Sequence, residues 1–305
     1  MDTDSLRLFV LAAEKLNISA AGRDLGMVPA VASARLAKLE KSMGADLLHR
    51  STRKVSVSLE GSELLPFARE IIAQEDAARA ALGQKSLDII GTIRFTAPST
   101  FAQSYVAPFL PEFTDRHPKI KLDLRLSDTR YDLIDGSFDL AIRNAALEDT
   151  SLKGRKLAND VRVLCASPQY LDQQGHPTTP EDLSKHKLVA FKDQLVRPLV
   201  GPDGQAGAFD PQKAECQIVV DDGMTQKIAT LAGAGISVNS LWNVHEELSD
   251  GRLIRVLPGF ELDADTAIWL VYPKTNILSP KVRVFMDFLL EKIGTCDVFR
   301  NGGRA

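Results

Sequence analysis

The chain has 305 residues, 44% of them hydrophobic and 25% charged, with a net charge of −3. That length predicts two or three domains with apolar content enough for a core in each. No run of about 18 apolar residues marks a membrane span, and the acidic start Met1-Asp2-Thr3-Asp4 argues against a signal peptide, so a cytoplasmic protein is expected.

Leu6, Phe9, Val10 and Ala13 recur at helical spacing and predict a first helix over about 4–16. A second short helix is expected over 19–25, with Ser19 as its cap and the small residues Ala20, Ala21 and Gly22 letting another helix approach closely. Leu25 closes its apolar face, and Gly26 suits a left-handed exit. Pro29 fits the first position of a third helix over 29–43. There Val31, Leu36 and Leu39 are read as inward, and Ser33, Arg35, Lys38 and Lys41 as outward. Two helices over a short Gly-containing turn, the second basic outside, is the geometry that enters a major groove. Leu47-Leu48-His49-Arg50 and Lys54-Val55-Ser56-Val57-Ser58 then read as two short strands around Ser51-Thr52-Arg53. A wing whose basic tip meets the DNA backbone or minor groove is one reading, an ordinary hairpin the other.

Several pieces recur here in a recognisable order and spacing: Leu6-Arg7-Leu8-Phe9-Val10, Ser19-Ala20-Ala21, Pro29-Ala30-Val31-Ala32-Ser33 and Leu39-Glu40-Lys41. They continue with Gly44-Ala45-Asp46-Leu47-Leu48-His49-Arg50-Ser51-Thr52-Arg53 and Glu60-Gly61. The stretch resembles the N-terminus of LysR-type transcriptional regulators, and the resemblance extends over nearly the whole chain. It implies a winged helix-turn-helix DNA-binding domain over 1–58. Ser19, Pro29, Ala30, Ser33, Arg35, Lys38, Arg50, Thr52, Arg53 and Lys54 are its candidate contacts to double-stranded promoter DNA. Two departures stand out. Val28 replaces the Ser or Thr that many relatives place before the recognition helix, a lost cap of roughly 1 kcal/mol. Ala34, followed by Arg35, stands where many carry an Arg directly after the serine. Charge follows the same division: residues 1–58 hold nine Lys/Arg against six Asp/Glu, and the rest holds 28 against 34. Only the N-terminal module is suited to phosphate.

From Ser58 to about Gln84 one long helix is expected, striped by Leu64, Phe67/Ala68, Ile71/Ile72, Ala78 and Leu82. It has no obvious partner in its own chain, so pairing with a second copy is predicted, giving a homodimer or homotetramer. Packing on the following domain is the alternative. Gly83-Gln84-Lys85-Ser86 ends it, so 59–90 reads as linker and hinge. Beyond Gly91, strands at 93–97, 120–126, 138–142, 161–166, 188–191, 217–220, 235–238 and 268–272 alternate with helices near 102–116, 130–136, 224–232, 241–250 and 280–293. That is an α/β body with a mainly parallel sheet. The resemblance implies a two-lobed, periplasmic-binding-protein-like (type II) effector domain over 91–305. Its lobes would be 91–160 with 267–294 and 161–266, hinged near 160 and 267. The Gly-rich tail from 294 is expected to be loose.

A ligand in such a body sits at the carboxyl ends of strands, near helix N-termini. Pro98-Ser99-Thr100-Phe101 and Asp222-Gly223-Met224-Thr225 are such places. Ser127-Asp128-Thr129, Arg143-Asn144, Phe191 and Val238-Asn239 also stand at strand ends. The resemblance implies a small carboxylate or aromatic acid as effector, with Ser99, Thr100 and Arg143 best suited to hold it. Each has a structural alternative: Ser99, Thr100 and Asp222 as helix caps, Arg143 in an ion pair, Phe191 in the core. Five scattered histidines and three distant cysteines (Cys165, Cys216, Cys296) form no triad or metal spacing. Gly201-Pro202-Asp203-Gly204-Gln205-Ala206-Gly207 reads as a surface turn and Ala232-Gly233-Ala234-Gly235 follows a helix, so no cofactor and no enzyme are expected. The reading is therefore a sequence-specific regulator whose DNA binding or activation responds to a small-molecule effector, with RNA polymerase a further candidate partner. A solute-binding protein and an enzyme with a DNA-binding head are the alternatives.

Overall fold

The computed structural model describes residues 2–50, 55–81, 89–128, 138–144, 152–192, 196–262, 266–274 and 278–300. Helix α1, Thr3–Lys15, starts where the Asp2 carboxylate accepts from the Ser5 amide at 2.9 Å and the Ser5 hydroxyl at 2.8 Å. Leu16 ends it in the left-handed region, φ 50, which leaves Asn17 extended. Asn17 then caps α2, Ile18–Asp24, its Oδ1 accepting from the Ala20 amide at 2.9 Å. The expected cap, Ser19, lies inside the first turn instead. Gly26 leaves α2 at φ +69, and a Cβ on Gly22 would stand 2.6 Å from the Ala32 Cβ, so the small-residue contact is real.

Helix α3, Pro29–Met43, has Val28 before it with no side-chain cap bond. Its buried positions are Ala32, Leu36, Leu39 and Glu40. Val31, expected inward, is 52% exposed; Ala32 takes the inward position, because the buried row runs 32, 36, 39. The buried Glu40 carboxylate accepts from the Leu47 and Leu48 amides at 3.1 and 3.2 Å, fastening the wing to α3. Strands β1, Leu48–Arg50, and β2, Val55–Val57, pair antiparallel as expected. The Ser58 hydroxyl accepts from the Gly61 amide at 2.8 Å and so caps α4, Leu59–Ala81.

That long helix is not without a partner in its own chain. Leu64, Leu65, Ala68, Ile71 and Ile72 pack into the core of Leu6, Leu8, Phe9, Ala12, Leu36 and Leu39. Arg69 reaches Glu14 at 3.0 Å, and Arg7 reaches Glu75 at 3.2 Å and Asp76. Phe67 and Leu59 face away, 63% and 72% exposed.

The chain divides into two compact units: 1–93 with 117–121 and 274–284, and 94–116 with 122–273 and 285–305. The α/β elements follow in order as β3 (Gly91–Ala97), α5 (Ser99–Tyr105), α6 (Leu110–Arg116), β4 (Ile120–Leu126), β5 (Leu140–Asn144), β6 (Leu152–Asn159), β7 (Arg162–Ala166) and α7 (Pro168–Gln174). Next come β8 (Lys187–Phe191), β9 (Arg197–Val200), β10 (Ala206–Phe209), β11 (Glu215–Val220), α8 (Gly223–Leu231), β12 (Ile236–Ser240) and α9 (Leu241–Ser249). The last are β13 (Ile254–Val256), β14 (Glu261–Leu262), β15 (Ala267–Pro273), α10 (Pro280–Gly294) and α11 (Asp297–Arg300).

One sheet runs β4-β3-β5-β15-β6 and the other β10-β9-β14-β7-β12-β8-β11, with β13 also on β7. Both are mixed, not mainly parallel. β3 with β5, and β8 with β11 and β12, are parallel; β15 with β5 and β6, and β7 with β12, β13 and β14, are antiparallel. The single helix expected over 102–116 is broken. Pro108 lies in a 3-10 turn, Ala107–Phe109, and Pro111 at the second position of α6, where its missing N–H costs nothing. The expected surface turn at 201–207 is a short 3-10 turn joining the antiparallel β9 and β10. The helix expected over 130–136 lies outside the described residues. Within the tail expected to be loose, Asp297–Arg300 form α11, and 301–305 lie outside the described residues.

Phe95, Phe113 and Phe285 stack edge to face in the first lobe, centroids 5.3 and 4.8 Å apart. Leu164, Leu188, Leu199, Phe209, Ile236 and Val238 fill the second. The two crossovers are tied together: the Asp160 amide donates to Thr266 O at 3.0 Å, and the Thr266 hydroxyl to Asp160 O at 2.7 Å. Among the described residues, no helix is long and apolar enough to cross a membrane.

Candidate DNA-reading face and effector cleft

On α3 the side opposite the buried row carries Ala30, Val31, Ala34, Lys38 and Lys41, all exposed. Ser33 is half-buried at one flank, and Arg35 stands at the other, 3.6 Å from Asp4. Pro29 opens the helix. Ser19 is half-buried on α2, and Arg50 ends β1 by backbone pairing with Val55. Thr52, Arg53 and Lys54 lie outside the described residues.

In the second unit, strand β3 ends at Ala97, Pro98 turns the chain, and α5 begins at Ser99. The donors expected for a ligand there are engaged by Asp128, which follows β4. Its Oδ1 accepts from the Ser99 hydroxyl at 2.8 Å and the Thr100 amide at 3.2 Å. Its Oδ2 accepts from the Thr100 hydroxyl at 2.9 Å and, from the other lobe, the Gly223 amide at 2.7 Å. A Cβ on Gly223 would press to 3.1 Å from Thr100 Oγ1, so glycine permits this close approach. Asp222 caps α8 through the Thr225 amide at 2.7 Å and also accepts from Ser99 Oγ at 3.4 Å. One carboxylate thus bonds four groups from two lobes.

Beside it an aromatic cluster spans the lobes. Phe101 meets Trp242 edge to face at 5.1 Å and stacks on Tyr105 at 5.3 Å, and Phe299 of α11 meets Tyr105 at 5.0 Å. The Tyr105 hydroxyl donates to Trp242 O at 2.8 Å. Trp242 Nε1 donates to the buried Asp160 carboxylate at 2.9 Å, which Arg162 also meets at 2.7 Å. This network joins the hinge to the cleft.

Known proteins place the chain. Residues 3–62 match the bacterial regulatory helix-turn-helix protein, lysR family, and residues 88–294 match the LysR substrate binding domain. The chain belongs to the LysR family of transcriptional regulators. The uncharacterized HTH-type transcriptional regulator YhjC of Escherichia coli is 32% identical to it, the match covering 93% of this regulator and 95% of that one. DmlR of Escherichia coli is 30% identical, with 94% and 92% covered. Among solved structures, CrgA of Neisseria meningitidis, a LysR-type regulator, aligns with TM-score 0.61 at 27% identity, covering 97% of this regulator and all of CrgA. The full-length Vibrio cholerae virulence activator AphB aligns with TM-score 0.59 at 25% identity, covering 95% and 99%. The regulator therefore binds DNA and carries an effector-binding domain, and proteins of this family form oligomers. Its relatives carry the names of regulators, not of enzymes.

The predicted effector residues part company in this LysR body. Ser99, Thr100 and Asp222 converge on one point, with Pro98 leading into it. Ser127 is held by its amide to Ala97 O at 3.1 Å, and half-buried Arg143 turns Nη1 to Ile142 O at 3.1 Å. Phe191 ends β8, half-buried. Thr100 is itself buried, 2% exposed, with its hydroxyl on Asp128, and three more belong to the interior. Phe101 is fully buried in the aromatic cluster, and Val238, on β12, belongs to the core of the second lobe. Asn239 is buried, its Nδ2 donating to Ser237 Oγ at 2.7 Å and lying 3.6 Å from Cys165 Sγ. Thr129 lies outside the described residues. Burial pushes the Cys165 thiol up to about 12, which removes its thiolate at neutral pH. Asp128 was in view as part of the Ser127–Thr129 segment but was not a candidate, and its partner Gly223 lies 95 residues away in the chain.

Proposed function

We propose that this is a cytoplasmic, ligand-responsive regulator divided into a DNA-binding module over 1–58, a linker over 59–90 and an effector domain over 91–305. It acts as a dimer or tetramer on a pseudo-palindromic site near a promoter, α3 in the major groove and the wing residues Arg50, Thr52, Arg53 and Lys54 on the backbone. RNA polymerase is its further partner. The effector is a small carboxylate or aromatic acid held by Ser99, Thr100 and the Gly223 amide, with Arg143 close by.

The four hydrogen bonds to Asp128 carry the effector reading. A protein that spends these donors on its own carboxylate has a site tuned to that group, and an incoming acid supplies the same oxygens. Binding changes the regulator only through different affinities for the two lobe arrangements. A thermal-shift screen of small acids, matched amines and neutral analogues at equal ionic strength tests it. Acids alone should stabilise the wild-type protein. Equal response to all three sets would remove the carboxylate reading.

A further inference from the structure

The recognition helix departs from what its role suggests. The exposed stripe is apolar at its N-terminal end, with Ala30, Val31 and Ala34, and cationic only further on, with Lys38 and Lys41. Val28, just ahead of the helix, is 63% exposed, and Val31 is 52% exposed. In helix-turn-helix docking the N-terminal residues of this helix meet base edges, while lysines further along suit phosphate. The polar side chains near that end stand to the flanks: Ser33 is half-buried, and the Arg35 guanidinium leans to Asp4 at 3.6 Å.

Methyl and isopropyl groups cannot satisfy base donors or acceptors, and covering such groups without partners is costly. The major groove displays one apolar group, the C5-methyl of thymine. We propose that Val31, flanked by Ala30 and Ala34, reads thymine methyl groups, and that these contacts, not bidentate hydrogen bonds, are the main direct readout of this helix. Val31 is then the residue that determines specificity at those positions. The inference rests on the operator reading above.

The test uses the full chain and a duplex it selects from a random library. Thymines in the selected half-sites are replaced one at a time by deoxyuridine, which keeps every hydrogen-bonding group and loses only the methyl. Affinity should fall about fourfold at each contacted thymine, the value of one buried methyl-sized group. Val31→Ala should weaken binding to the thymine duplex similarly and abolish the deoxyuridine penalty at one position, with the salt slope unchanged. Alanine favours helix at this exposed site, so the variant folds. Equal affinity of wild type for thymine and deoxyuridine duplexes overturns the inference while leaving operator reading intact. So does a penalty that Val31→Ala leaves undiminished. A chain that selects no duplex overturns the operator reading and this inference with it.

Discussion

Removing the Asp128 carboxylate isolates what it contributes and what could replace it. In Asp128→Ala the Ser99 and Thr100 hydroxyls and the Thr100 and Gly223 amides lose their shared acceptor. A hydrogen bond to a charged group contributes roughly 1.5–3 kcal/mol, but Asp128 is half-buried and water replaces much of it. A net loss of about 2 kcal/mol is expected, a fall in Tm of about 4–8 °C for a body of this size. Acetate should then restore part of it. With a Kd of about 10 mM, about 100 mM acetate returns roughly 1.4 kcal/mol. The assay is differential scanning fluorimetry of wild type and Asp128→Ala in sodium acetate against sodium chloride at matched ionic strength. The variant should gain several degrees in acetate and the wild type much less. A variant that melts with wild type, or that acetate and chloride treat alike, refutes the carboxylate exchange.

Asn17→Ala should speed hydrogen exchange at the Ala20 amide about fivefold, the equivalent of a lost cap of about 1 kcal/mol, whereas Ser19→Ala should leave it unchanged. Phe67→Glu, on the exposed side of α4, should dissociate the oligomer in analytical ultracentrifugation without unfolding it; an unchanged mass would move the interface elsewhere. His186 is buried with the Tyr170 hydroxyl 3.2 Å from its Nδ1, and burial holds its pKa below the ordinary 6.5. The unfolded chain thus binds more protons, so the His186 contribution is intact above pH 6.5 and is lost as pH falls toward the folded value. Tm should fall more steeply below pH 6.5 in wild type than in His186→Asn.

The DNA-binding module was legible because its signals are local. Gly26, Pro29 and the row 32, 36, 39 act within a few residues of themselves. Its errors were local as well. Asn17 and Ser19 are both competent caps, and only the left-handed Leu16 decides between them. Val31 and Ala32 are adjacent apolar residues, and periodicity alone placed the larger one inside. Helix α4 seemed partnerless because its seat on α1 joins residues far apart in the chain, such as Arg7 and Glu75, 68 positions apart. Strand direction escaped for the same reason: β15 enters antiparallel beside β5 across more than a hundred residues. The cleft was half legible. Strand ends and helix starts pointed to Ser99, Thr100 and Asp222, while Asp128 reaches Gly223 from 95 residues away. Phe101 at a helix start and Val238 and Asn239 near a strand end share those positions, yet burial turns them inward.

Operator reading by a ligand-responsive dimer or tetramer is tested most directly by a fluorescence-anisotropy titration of the purified protein on duplex from upstream of its own gene, against a scrambled duplex, at several salt concentrations. Preference of about a thousandfold or more, with a steep salt slope, is the predicted result. Equal binding to both duplexes with no salt dependence, in a folded sample, would contradict it.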